Sequence, residues 1–163
     1  MRTYKTIRID VETKFMLNEL IKYYEFELIK NKDEIISKYE DEINDKLKNY
    51  SASLMLNVTV GSILSEALSY FKSSNFSNNE ILKFKAEINS LIDIPNNISV
   101  GSITPRFFLS NKDINYINEL KYELDEFKNN KSNIGYVVKF IIYVYYKKHE
   151  ESLKVRNLNV KNI

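Results

Sequence analysis

The chain contains no cysteine. That excludes disulfides, thiolate nucleophiles and cysteine-held metals, and it is compatible with a reducing compartment. Its 163 residues include only three glycines and two prolines. So few turn formers favour long helices with polar connections over a many-stranded sheet. Histidine occurs once, as His149, with no cysteine or second histidine to share a metal, so neither a ligand nor a catalytic role is expected for it. The longest apolar run, 136–146, is interrupted by Lys139 and is too short to span a bilayer. The opening Met1-Arg2-Thr3-Tyr4-Lys5 has no apolar signal core. A cytoplasmic location without a membrane partner is expected. No phosphate-binding glycine loop, metal-ligand spacing or nucleophile–base–orienter set is visible. The expectation is a protein without enzyme activity, cofactor or metal.

What is present fits a folded domain. The chain is 44% apolar and 28% charged, which separates it from disordered sequences. The net charge of +2 is mild and neither demands nor forbids nucleic acid, because local placement of charge matters more than the total.

Residues 3–10 alternate as an extended strand does. Ile7 and Ile9 fall on one face, and Tyr4, Thr6 and Arg8 on the other. Asp10 then serves as a helix N-cap. Apolar residues follow at helical spacing: Phe15, Leu17, Leu20, Ile21, Tyr24, Leu28 and Ile29. A break is expected at Asn31-Lys32-Asp33, followed by a second stripe of Ile35, Ile36, Tyr39, Ile43, Leu47, Tyr50 and Leu54, so the two stretches predict an antiparallel helical hairpin. Thr59, with Ser62 three residues on, opens a helix carrying Ile63, Leu64, Ala67, Leu68 and Phe71. Ser77 opens a shorter one with Ile81, Leu82, Phe84 and Ile88. Pro95-Asn96-Asn97 reads as a turn or linker. A second extended stretch, 102–110, ends at Ser110, which with Asp113 marks another helix start. After a polar break at 129–133, a last helix carries Tyr136, Val137, Phe140, Ile141 and Val144. Residues 148–163 read as a flexible basic tail.

The order strand, helix, helix thus occurs twice. Ile7, Ile9 and cap Asp10 match Phe107, Leu109 and cap Ser110. Thr59, Ile63, Leu64, Ala67 and Leu68 match Ser132, Tyr136, Val137, Phe140 and Ile141. A lone short strand is unstable because its backbone groups need a partner, so strand 4–9 is expected to pair antiparallel with strand 104–109. The chain divides into a first copy at 1–73 with a helical insert at about 23–57, a connecting helix and linker at 74–101, a second copy at 102–147, and the tail.

A two-stranded ribbon is one device that enters the DNA major groove. Tyr4, Thr6 and Arg8 from the first strand, with Thr104 and Arg106 from the second, can hydrogen-bond base edges, and arginine suits guanine O6 and N7. Phe108 occupies an outward place where a polar reader is usual. It can touch a thymine methyl, or its strand can serve only as a structural partner. Helix N-termini at Thr59, Gly61 and Ser62 and at Ser132 and Asn133 offer free N–H groups to a phosphate. Arg2, Lys5 and Lys14 add charge for the sequence-independent part of binding. The same residue types also make ordinary solvated strand faces and ordinary helix caps.

Thr6-Ile7-Arg8-Ile9-Asp10 and the segment from Thr59 through Gly61, Ser62, Ile63 and Leu64 to Leu68 resemble the ribbon-helix-helix DNA-binding proteins of the MetJ/Arc class. The resemblance implies a mainly α fold, here a tandem ribbon-helix-helix in one chain with a two-stranded antiparallel β-ribbon and extra helices. It implies sequence-specific binding of double-stranded DNA by a transcriptional repressor or a plasmid accessory factor, acting at copy-control, partition or transfer-origin (relaxosome) sites. Self-association as a homodimer fits the same picture. The rival expectation is a helical protein-binding adaptor or antitoxin-like module that uses the insert as its working surface.

Overall fold

The computed structural model describes residues 1–46, 57–91, 101–125 and 133–160. Among them, strand β1 (Arg2–Thr6) leads into helix α1 (Val11–Lys46), followed by α2 (Val60–Ser74) and α3 (Asn78–Asn89). Strand β2 (Arg106–Ser110), α4 (Asn111–Asp125) and α5 (Ile134–Val160) complete the order. The protein is mainly α with one two-stranded antiparallel sheet, as the scarcity of glycine and proline and the two extended stretches predict. The linker at Pro95-Asn96-Asn97 and the positions of Leu47, Tyr50, Leu54 and Ser132 lie outside the described residues.

β1 pairs with β2 in the register Arg2–Ser110, Thr3–Leu109, Tyr4–Phe108, Lys5–Phe107 and Thr6–Arg106. Single hydrogen bonds carry the pairing further. Ile7 N–H donates to the Pro105 carbonyl at 3.4 Å and Ile9 N–H to the Ile103 carbonyl at 2.9 Å. The regular ladder therefore starts two residues earlier in β1, and ends one residue later in β2, than the alternation predicts. Pro105 explains where it stops: without an N–H it cannot return a ladder bond.

The helix starts follow local chemistry. Asp10 accepts the Thr13 N–H at 2.9 Å. Ser110 accepts the Asp113 N–H at 3.1 Å, and Asp113 takes the Ser110 N–H at 3.2 Å in return. Reciprocal caps also open α2, through Thr59 and Ser62, and α3, through Ser77 and Glu80. Asn133 opens α5 by accepting the Tyr136 N–H at 2.8 Å.

Two expectations are corrected. α1 runs unbroken through Asn31-Lys32-Asp33, so there is no helical hairpin within it. None of the three is Gly or Pro, and each costs only about 0.7 kcal/mol or less in a helix. The Asn31 amide donates to the Glu27 carbonyl one turn back, at 3.2 Å. The expected flexible tail is instead helical as far as Val160. Glu150 pairs with Lys147 at 2.6 Å and with Lys154 at 3.0 Å, and Leu153 is buried.

α2 and α5 form the centre. Ile63, Leu64, Ala67 and Leu68 of one and Val137, Val138, Ile141 and Ile142 of the other are buried, with Phe107 and Leu109 of β2, Ile9 after β1, Leu17 and Leu20 of α1, and Ile117 and Leu120 of α4. α3 joins this core through the buried Ile88. Phe84 meets Phe140 with ring centroids 6.5 Å apart, the Tyr143 hydroxyl donates to Glu87 at 2.7 Å, and the buried Lys85 ammonium donates to the Leu124 carbonyl at 2.7 Å, near the negative end of α4.

α1 meets α5 at a tyrosine–histidine cluster. His149 Nδ1 lies 3.0 Å from the Tyr145 carbonyl, which can only accept, so Nδ1 carries the proton. Nε2 then accepts from the Tyr24 hydroxyl at 3.0 Å, and Tyr24 in turn accepts from the Tyr145 hydroxyl. Beyond this cluster α1 is an arm. From Lys22 onward none of its described side chains is buried, and Phe26, Ile29 and Tyr39 are 48%, 71% and 50% exposed.

Candidate nucleic-acid interface

Alternation sorts the ribbon into two faces. Phe107 and Leu109 are fully buried, and Ile9 is nearly so, against α2 and α5. Arg2, Tyr4, Thr6 and Arg8 of the first strand and Thr104, Arg106 and Phe108 of the second are all exposed on the opposite side. The structure thus brings all six expected base-reading residues onto one surface. Thr6 faces Arg106 at its centre and Tyr4 faces Phe108. The bonds from Ile7 and Ile9 set Arg8 opposite Thr104. The Thr104 hydroxyl is already engaged, 3.2 Å from that of Ser102.

The electrostatics of this face are one-signed. Residues 2–9 and 102–110 contain Arg2, Lys5, Arg8 and Arg106 and no carboxylate. None of these four cations forms an ion pair with another described residue. Lys5 has the parity of the inner face yet is exposed. Lys14 lies one turn into α1 and is half-exposed.

Two helix starts support the ribbon from beneath, each under the strand of the other half. A Cβ on Gly61 of α2 would come within 2.8 Å of the Phe108 backbone nitrogen and oxygen. A Cβ on Gly135 of α5 would come within 2.5 Å of the Arg8 carbonyl oxygen. Only glycine allows so close an approach. The helices are also tied to the opposite cap. Ser65 of α2 donates to Asp113 at 3.0 Å, and Lys139 of α5 donates to Asp10 at 2.6 Å.

These contacts fix how the halves correspond. Thr59 and Asn133 are both N-caps, Gly61 and Gly135 both lie against a strand, and Ser65 and Lys139 both reach a cap. Buried Ile63, Leu64, Ala67, Leu68 and Phe71 then answer buried Val137, Val138, Ile141, Ile142 and Tyr145. The match is one residue later in the second helix than sequence spacing predicts, because Asn133 is the residue that caps.

The first turns of α2 and α5 contain no acidic residue, whereas those of α1, α3 and α4 contain Glu12, Glu80 and Asp113. Thr59 satisfies the Ser62 amide at 3.1 Å, and the Val60 and Gly61 amides have no acceptor among the described residues. Anions are favoured at such an end. Of the expected phosphate contacts, Thr59, Ser62 and Asn133 are exposed at these helix starts, Gly61 is buried against the Phe108 backbone, and Arg2 and Lys5 lie on the ribbon.

The Asp10–Lys139 contact gave no signal in the sequence beyond the cap residue itself, because its partners are far apart in the chain. Glu12 lies 3.7 Å from the same ammonium. Burial pushes the Asp10 carboxyl up, but hydrogen bonds from Lys139 and Thr13 outweigh it and hold the group below its usual 3.8. Lys139 is therefore committed to protein carboxylates. Beside it a groove of about 1070 Å³ opens, lined by Arg8, Asp10, Gly135, Tyr136 and Lys139 among others. Among the described residues, no helix is long and apolar enough to cross a membrane. Comparison with known protein families, with curated proteins and with solved structures finds no match to this chain.

Proposed function

We propose that this protein binds double-stranded DNA in a sequence-specific manner, laying the outer face of its β-ribbon into the major groove, and that it is a tandem ribbon-helix-helix protein without catalytic activity. One observation carries this reading: an exposed ribbon with four cations, three of them on its outer face, and no carboxylate, flanked by two helix N-termini that are free of acidic residues in their first turns. The ribbon positions base-reading side chains, and the helix starts and Lys5 take phosphates. A major groove about 12 Å wide admits a two-stranded ribbon. By resemblance, the biological role is that of a repressor or a plasmid accessory factor.

Selection of bound duplexes from a random pool at physiological salt tests the reading. A short enriched motif is expected, and Arg8→Ala should weaken its guanine contact by about tenfold while leaving the helical circular dichroism unchanged. Weak binding without any motif, vanishing as salt rises, would refute the proposal.

A second reading has its own support in the exposed Phe26, Ile29 and Tyr39 on the α1 arm. Exposed apolar residues on a long helix suit docking to another protein. Deleting 31–57 separates the readings. DNA selection should survive the deletion if the ribbon is the working surface, and binding of a protein partner should be lost if the arm is.

A further inference from the structure

Corresponding places on the two strands carry unlike chemistry. Caps Asp10 and Ser110 set the correspondence, so Arg8 answers Phe108 and Thr104 answers Tyr4, with Thr6 and Arg106 facing each other at the centre. Pairing then collects both aromatic residues in one row toward one end of the outer face, with Arg2 one row beyond them. The Tyr4 and Phe108 rings lie with centroids 4.8 Å apart at an interplanar angle of 37°. At the other end stand Arg8 and Thr104. The backbone beneath the two ends is supported alike, by Gly61 under Phe108 and Gly135 under Arg8. Only the side chains differ. The aromatic pair is also left in water, Tyr4 at 69% and Phe108 at 41% exposure, although burying either ring would be favourable. A surface that covers these rings on binding recovers that energy.

Resting on the DNA-reading function proposed above, we infer that the two ends of the ribbon read different base chemistry within one asymmetric site: the Tyr4–Phe108 end packs on thymine methyl groups, and the Arg8 end hydrogen-bonds guanine. Thymine is the only base with an apolar group in the major groove, and phenylalanine is one of the side chains that contact it. Phe108 can neither donate to nor accept from a base edge, so it gains only where an apolar group is presented, as the thymine methyl is. Arginine takes guanine O6 and N7 together. The two rows are four residues apart along each strand, about 13 Å. That is about four base pairs at 3.4 Å each, so the thymine element and the guanine element should lie roughly that far apart.

The test uses the full chain and its selected duplex in a fluorescence anisotropy titration. Replacing thymine by uracil removes only the methyl group. At one end of the site it should weaken binding about fourfold for each methyl contacted, and at the other end it should do nothing. Replacing guanine by 7-deazaguanine should show the opposite pattern. Phe108→Ala should abolish the uracil effect. The double variant Tyr4→Thr, Phe108→Arg gives the aromatic end the residues of the polar one, and repeated selection should then return an inverted repeat of the guanine element. Circular dichroism checks the fold of each variant, and the wild-type uracil series decides the matter if the double variant does not fold. A motif insensitive to uracil, or one that stays unchanged in a folded double variant, would overturn this inference and leave the DNA-reading function standing. Absence of any selected motif would overturn both.

Discussion

The two halves of this molecule share a frame and differ in what they display. β1, α1 and α2 answer β2, α4 and α5: cap for cap, glycine for glycine and buried residue for buried residue. Outward, Arg8 stands where the other half has Phe108, and α1 is 36 residues long where α4 is 15. The difference separates two kinds of constraint. Positions facing the α2–α5 core must fill a close-packed interior, so both halves keep large apolar groups there. Positions facing water carry no such demand and are free to diverge. Phe107 and Phe108, adjacent in one strand, show both regimes.

That contrast is open to direct attack. Phe107→Ala empties a fully buried site and should cost about 3–5 kcal/mol in urea unfolding, while Phe108→Ala should cost about 1 kcal/mol or less. Similar costs for the two would erase the distinction between inner and outer face. Next in size come the glycines. Gly135→Ala and Gly61→Ala each force a Cβ into backbone and should each destabilise by about 1–3 kcal/mol, with Gly135→Ala the larger because its clash is at 2.5 rather than 2.8 Å. A neutral result at one glycine alone would show that the halves are not supported alike.

The ties between each second helix and the opposite cap should come third. Lys139→Met leaves Asp10 and Glu12 unpaired at a site still partly open to solvent, for about 1 kcal/mol, and Ser65→Ala should cost less. Because the Asp10 carboxyl is held below 3.8, its contribution is complete above about pH 4 and is lost as pH falls through its lowered value. Acid unfolding of Lys139→Met should lack part of that loss.

Between pH 7 and 5 a different group acts. Burial pushes the His149 imidazole below its usual 6.5, against the hydrogen bond to the Tyr145 carbonyl, which raises it. A base depressed in the folded state contributes stability that is present above 6.5 and lost as pH falls below it. Protonation would also turn Nε2 from acceptor to donor and oblige Tyr24 to give up its own bond to the ring. The melting temperature should fall across this range, and His149→Phe should flatten the slope. An unchanged slope would remove His149 as its source. The smallest effect is expected on the arm, where Lys30→Ala removes a 3.0 Å pair with Glu27 that is solvent-exposed on both sides and should change stability by less than about 0.5 kcal/mol.

Much of the candidate site is legible in the order of residues along the chain. The faces of the ribbon follow from alternation at Tyr4, Thr6 and Arg8, since a strand's period of two admits one choice once Ile7 and Ile9 are inside. Thr59, Ser77 and Ser110 announce their helices through side chains that satisfy local amides. The break expected at Asn31-Lys32-Asp33 is absent because polar residues interrupt an apolar stripe without interrupting a helix. Residues 148–160 are helical for the opposite reason: Leu153 and the Glu150 pairs stabilise a helix that lacks a clean periodicity. His149, whose spacing suggests no role, joins α1 to α5. Nothing near it in sequence names Tyr24, which is brought there only by packing.

By itself the sequence determined what local forces decide: helix-rich architecture, where most helices start, and which strand residues face inward. These depend on neighbours within a few residues, so the residue types suffice. The tertiary structure decided which partners distant residues find. It placed each second helix under the other half's strand, engaged Lys139 with Asp10 and Glu12, joined α1 to α5 through Tyr24 and His149, and gathered Tyr4 and Phe108 into one aromatic end. Each of these is a contact whose closure cost and packing gain depend on the whole chain's path, and no local pattern carries that information.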